Sequence, residues 1–159
     1  GGPGASDIAV ASVTMDGMER GVESVEADVA GLPRDSARRL YDRVMEEFQR
    51  GDCEAAEAGF RMFLEIHQDS LLAPYVDYWR GECAFRQGRY QEAVEAFDRT
   101  VSRFPLSPKL AAAAFMKKGL AYAKLGKMNR SRNVLELVVA QFPNTEQAVF
   151  ARKALLTPN

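Results

Sequence analysis

Few side chains in this chain of 159 residues suit covalent or acid–base chemistry. The one histidine is His67, and the two cysteines are Cys53 and Cys83. The cysteines form no Cys-x-x-Cys pair, and a lone histidine does not complete a metal site with them. No serine or cysteine has a second histidine to activate it, and no Gly-rich phosphate loop or paired-carboxylate signature occurs. The expectation is therefore a non-enzyme without cofactor or metal. The cysteines fit a disulfide in an oxidising compartment or two buried thiols acting as small apolar residues; the second is the plainer reading. What remains is the chemistry of binding, carried by aromatic, methionine and charged side chains.

The charges are unevenly placed. Residues 99–159 hold 11 lysines and arginines against Glu136 and Glu146, whereas residues 1–98 hold 10 against 20 acids. Such asymmetry suggests electrostatic docking, within the assembly or on an acidic partner. The pI of about 6.0 and the lack of a nucleic-acid motif argue against nucleic acid. No apolar run approaches the roughly 20 residues of a membrane span, so no membrane insertion is expected. The start, GGPGASDIAV, has neither the basic flank nor the apolar stretch of a signal peptide. GGPGAS reads as an added lead or the cut end of a longer protein.

The elements that must position the binding residues are repeats. Gly81, Gly88, Phe104 and Pro105 recur 38 residues later as Gly119, Gly126, Phe142 and Pro143. Shifted by 37 the other way, Gly51, Ala56 and Phe60 meet Gly88, Ala93 and Phe97. Each copy reads as two helices. In the second copy these are 74–87, opened by Pro74 and closed by Gly88, and 90–104, ended by Pro105. Tyr90, Val94, Phe97, Val101 and Phe104 mark one face of the latter. Gly81 and Gly119 imply close helix approach, with Ala93 as the small surface opposite. A unit of this length cannot bury its own apolar face and must stack. The expected architecture is an all-α superhelix of three repeats, about 35–70, 71–107 and 108–144. A capping helix over 145–156 follows, with Asn144 and Gln147 as its capping box.

This series of small, Gly, Tyr, Ala, Phe and Pro positions resembles the tetratricopeptide repeat. The copies are longer than the usual 34 residues. The first has Val44 in place of the helix glycine and Gln68 in place of the closing proline, and the third has Ser131 for the small alanine. Tyr78 to Gly81 (YWRG), Phe104 to Lys109 (FPLSPK), Lys117 to Gly126 and Phe142 to Thr145 (FPNT) are similar to the C-terminal domain of the periplasmic Tol–Pal accessory family, CpoB/YbgF. The resemblance covers residues 36–156. It implies a periplasmic adaptor that binds a TolA-like inner-membrane protein and links outer-membrane constriction to the peptidoglycan synthesis machinery at division. Outer-membrane assembly lipoproteins of the BamD type carry related long repeats, and a self-associating structural module is a further alternative.

Residues 1–34 form an acidic arm. Ile8, Ala11, Met15, Met18, Val22, Val25, Val29 and Leu32 alternate by three and four, a heptad seam. Gly17, Gly21 and Gly31 oppose a stable stalk. A linker, a helix docked on the repeats, and a homo-oligomeric coiled-coil end all fit. Charge favours docking, with the Lys/Arg face of repeat three as the expected seat.

A superhelix of this kind lines its concave side with first helices. The candidate partner groove comprises Tyr41, Met45 and Phe48, then Tyr78, Glu82 and Phe85, then Met116, Leu120 and Ala123, with Arg86, Lys117 and Lys124 as a rim that steers an acidic ligand. Trp79, the one tryptophan, reads as structural. His67 occupies the slot of Phe104 and Phe142 and reads as helix-end packing.

Overall fold

The structure, a computed structural model, describes residues 25–156. After helical residues 25–30 come α1 (Ser36–Gln49), α2 (Cys53–Ile66), α3 (Ala73–Arg86), α4 (Tyr90–Ser102), α5 (Pro108–Lys124), α6 (Met128–Gln141) and α7 (Glu146–Leu156). The three antiparallel pairs and the final helix form the all-α superhelix that the repeats require.

Local chemistry sets the starts. The carboxylates of Asp35 and Asp52 accept the backbone N–H groups of Arg38 and Ala55 at 2.9 and 3.0 Å, capping α1 and α2. Ser107 accepts from Leu110 N–H before α5, where Pro108 sits in the first turn. Within each pair the turn passes through a glycine at positive φ: Gly51 at 83°, Gly88 at 77° and Gly126 at 76°. An L side chain resists that conformation, so the glycine is needed to reverse the chain.

The glycines inside the first helices work against large side chains, not against Ala93. A Cβ on Gly81 would meet three ring carbons of Phe97 at 2.5 to 2.9 Å, and one on Gly119 would meet Leu135 at 3.0 Å. In repeat one the roles are exchanged. Val44 fills the first-helix slot, and Gly59 on α2 makes room for it, its Cβ position lying 2.6 Å from a Val44 methyl. One member of each crossing is absent, so the backbones approach in every copy.

Two expected helix ends are corrected. α4 stops at Ser102 because Arg103 turns extended, with ψ 144°. Its guanidinium is held by Asp77 at 2.5 Å and by the Gln68 carbonyl at 3.2 Å. Phe104 thus leaves the apolar face and stands 95% exposed. At α7 the cap is Thr145, whose hydroxyl accepts Ala148 N–H at 3.1 Å, and not Asn144. His67 does end its helix as packing: its N–H donates to the Phe63 carbonyl and its ring lies 5.3 Å from that of Phe63. Phe142 stacks on Phe115.

Candidate functional site: the row of first helices

α1, α3 and α5 stand side by side, and the apolar core runs continuously through all three. Tyr41, Met45 and Phe48 lie on α1, Tyr78, Glu82 and Phe85 on α3, and Met116, Lys117 and Leu120 on α5; all nine are buried. Arg86 and Lys124 are exposed at their helix ends, as a rim requires, and Ala123 is half-buried.

Repeat one is bonded to repeat two within this row. The Trp79 indole N–H donates to Tyr41 Oη at 2.7 Å, and the Trp79 ring lies 5.0 Å from Phe48. The Arg86 guanidinium covers Phe48 at 4.6 Å from its centroid and lies 3.6 Å from Glu82 Oε1. Burial pushes the Tyr41 phenol up, the hydrogen bond from Trp79 opposing it. Trp79 is structural, as its sequence position suggests.

Lys117 is not a rim residue, which corrects the expectation. It is buried, and its ammonium bonds Glu82 Oε2, so α5 is tied to α3 by an ion pair sealed from water. It stands 38 residues after Trp79, in the same slot of the next repeat, and each slot reaches back toward the preceding first helix. Burial pulls the Lys117 pKa down, with Glu82 opposing. Tyr78 Oη and Glu82 Oε1 are buried and accept or donate no hydrogen bond. An orphaned buried polar atom costs about 1–3 kcal/mol.

The row extends one turn further than the sequence reading placed it. Tyr75 lies three residues before Tyr78 on the same face, and its hydroxyl donates to Asp28. Arg38, 37 residues earlier, donates to the carbonyls of Val29 and Leu32 at 3.0 and 3.2 Å. The i−3 step from Tyr78 was the available signal. The described part of the arm thus packs on repeats one and two, with Val25 and Val29 buried. Residues 1–24, including the rest of the heptad seam, lie outside the described residues, and so does any seat for them on repeat three.

The cysteines are joined. Cys53 opens α2, Cys83 sits in α3, and their Cα atoms are 5.4 Å apart, within the disulfide range. The antiparallel order of helices brings the start of α2 beside the second half of α3, so the reading as two buried thiols is replaced. Among the described residues no group of three histidines, cysteines or carboxylates is placed to hold a metal ion. None of the described helices is long and apolar enough to cross a membrane.

Paired helices with positive-φ glycine turns, stacked so that first helices line one side, define an α-α repeat scaffold. Two family models, both described as tetratricopeptide repeat, match residues 41–108 and 113–145. The described chain is a tetratricopeptide-repeat domain, a scaffold for protein–protein interaction. It is similar in fold to the N-terminal domain of stress-induced protein-1 from C. elegans, with TM-score 0.65 and 16% identity, covering 76% of this chain and 94% of that one. It is also similar to the second TPR domain of human RPAP3, solved in complex with an HSP70 peptide, with TM-score 0.62 and 22% identity, covering 74% and 93%. No curated protein matches the chain.

Proposed function

We propose that the domain is an adaptor that seats an amphipathic protein segment along the row of α1, α3 and α5. The observation that carries this reading is the row itself. Aromatic and methionine side chains from three helices form one strip, with the cations of Arg86 and Lys124 exposed beside it. Such anchors supply contact area, and rim cations speed capture of an acidic ligand. The orphaned oxygens of Tyr78 and Glu82 offer it polar partners. The human RPAP3 neighbour, which holds a peptide, supports the use of this fold for segment capture.

The motifs of the Tol–Pal accessory family narrow the reading. The partner is then a TolA-like inner-membrane protein, in a periplasmic adaptor acting at division. The Cys53–Cys83 bridge supports an oxidising compartment such as the periplasm. The test is titration of the whole chain with the soluble part of TolA at low salt. Binding weakened by Arg86→Glu with Lys124→Glu is expected. A folded chain that does not bind would remove the Tol–Pal reading and leave the scaffold.

A further inference from the structure

The first-helix row is buried along its whole length, from Tyr41 to Leu120. Contacts between neighbouring helices explain Tyr41, Phe48 and Lys117, each held by a named partner. They leave the burial at Met45 and Leu120 without a named partner, so the row is not an open trough. What lies over one end of it is on the page. Val25 and Val29 are buried, Leu32 is packed against the same core, Asp28 takes the hydroxyl of Tyr75, and Arg38 holds the carbonyls of Val29 and Leu32.

Val25, Val29 and Leu32 are the last three positions of the eight-member heptad seam. The other five, Ile8, Ala11, Met15, Met18 and Val22, continue the same stripe toward the N terminus. We propose that residues 8–24, the chain's own acidic heptad segment, occupy the first-helix groove in cis, so that a partner segment enters by displacing them. This deepens and rests on the adaptor reading above.

Three observations support that occupant. The first is continuity: the stripe is already seated where it enters the groove. The second is length. Seventeen residues as a helix reach about 25 Å, and three first helices packed about 10 Å apart span about 20 Å. The third is charge. Asp16, Glu19 and Glu23 outweigh Arg20 in the segment, and Arg86 and Lys124 are the exposed cations beside the groove. The same pattern describes the partner: an amphipathic acidic helix with small apolar residues alternating by three and four.

A tethered segment competes at a local concentration in the millimolar range. The test uses the full chain and its Met15→Asp plus Val22→Asp variant, with a labelled synthetic peptide of residues 8–24 as probe. Buried Trp79 reports that the repeats stay folded in both. The variant is expected to take up the peptide at least about tenfold more tightly than the parent. Amide hydrogen exchange at residues 8–24 is expected to be slow in the parent and fast in the variant. Equal peptide affinities with fast exchange in the parent overturn the proposal. So does a concentration-dependent dimer that the variant abolishes, which would make a second copy's arm the occupant. Slow exchange in the parent alone, with no peptide uptake by either protein, upholds the cis seat and counts against the adaptor reading instead.

Discussion

The indole N–H of Trp79 donates to the phenol oxygen of Tyr41 at 2.7 Å, across the boundary between repeats one and two. Both residues are buried, so neither has water as a substitute. Trp79→Phe leaves the Tyr41 oxygen without its donor and should cost about 1–3 kcal/mol, beyond which the smaller ring adds a packing loss. Urea unfolding followed by circular dichroism measures it. A double-mutant cycle with Tyr41→Phe should return a coupling near 1 kcal/mol; strict additivity would deny that the bond matters.

Gly81→Ala should destabilise by about 1–3 kcal/mol even though alanine is the better helix former. Its methyl would press on the Phe97 ring, which is fixed in the core. Gly119→Ala meets only the tip of Leu135, which can rotate, and should stay within about 1 kcal/mol of the parent. The order of the two melting temperatures is the check.

Lys117→Met strands the Glu82 carboxylate in a dry interior and should cost about 3–5 kcal/mol. Adding Glu82→Gln should restore most of it, since an apolar or neutral pair needs no counter-ion. If the double variant is as unstable as the single one, packing and not charge holds α5 to α3.

Reduction of the Cys53–Cys83 bridge frees a loop closed over a sequence separation of 30 and should lower stability by about 3–4 kcal/mol. The urea midpoint with and without a thiol reductant tests this. Cys53→Ala with Cys83→Ala should show the reduced value and no response to the reductant.

Stability should fall as pH rises above 10. Tyr41, Tyr75 and Tyr78 have phenols raised by burial, with Asp28 adding to the effect at Tyr75 and Glu82 at Tyr78. A raised folded value means stability is intact below the unfolded pKa of 10.0 and is lost as pH climbs toward the folded one. Lys117, lowered by burial, acts in the opposite sense, but only up to its unfolded value of 10.5. Phenolate absorbance should therefore rise together with loss of helicity in part of the titration. Loss of that coincidence in Tyr78→Phe and Tyr41→Phe variants would confirm the source.

The repeat was legible because glycines and prolines punctuate the chain at fixed intervals, and backbone rules leave them few roles. The groove positions on α1, α3 and α5 were legible for the same reason, being offsets from those marks. Lys117 was misread because charge alone suggests a rim; its offset of 38 from Trp79 carried the better signal. Phe104 was misread because helical spacing says nothing about where a helix stops, and that depended on Asp77 capturing Arg103 from another helix. The exchange of Val44 and Gly59 was hidden, since two departures from the pattern look like noise until the helices cross. The disulfide depended on the antiparallel order of helices, which no spacing of two cysteines reveals.

The Cys53–Cys83 bridge also gives the array a direction of opening. Repeat proteins come apart unit by unit, starting where a unit has fewest neighbours. The bridge fuses repeats one and two into one cooperative block, to which Arg103, Asp77 and Gln68 add a polar clasp. The far end closes on α7, whose Val149 and Leu156 face solvent. Fraying thus runs inward from α7, and the Tyr41–Trp79 half of the groove is the last part to lose its shape.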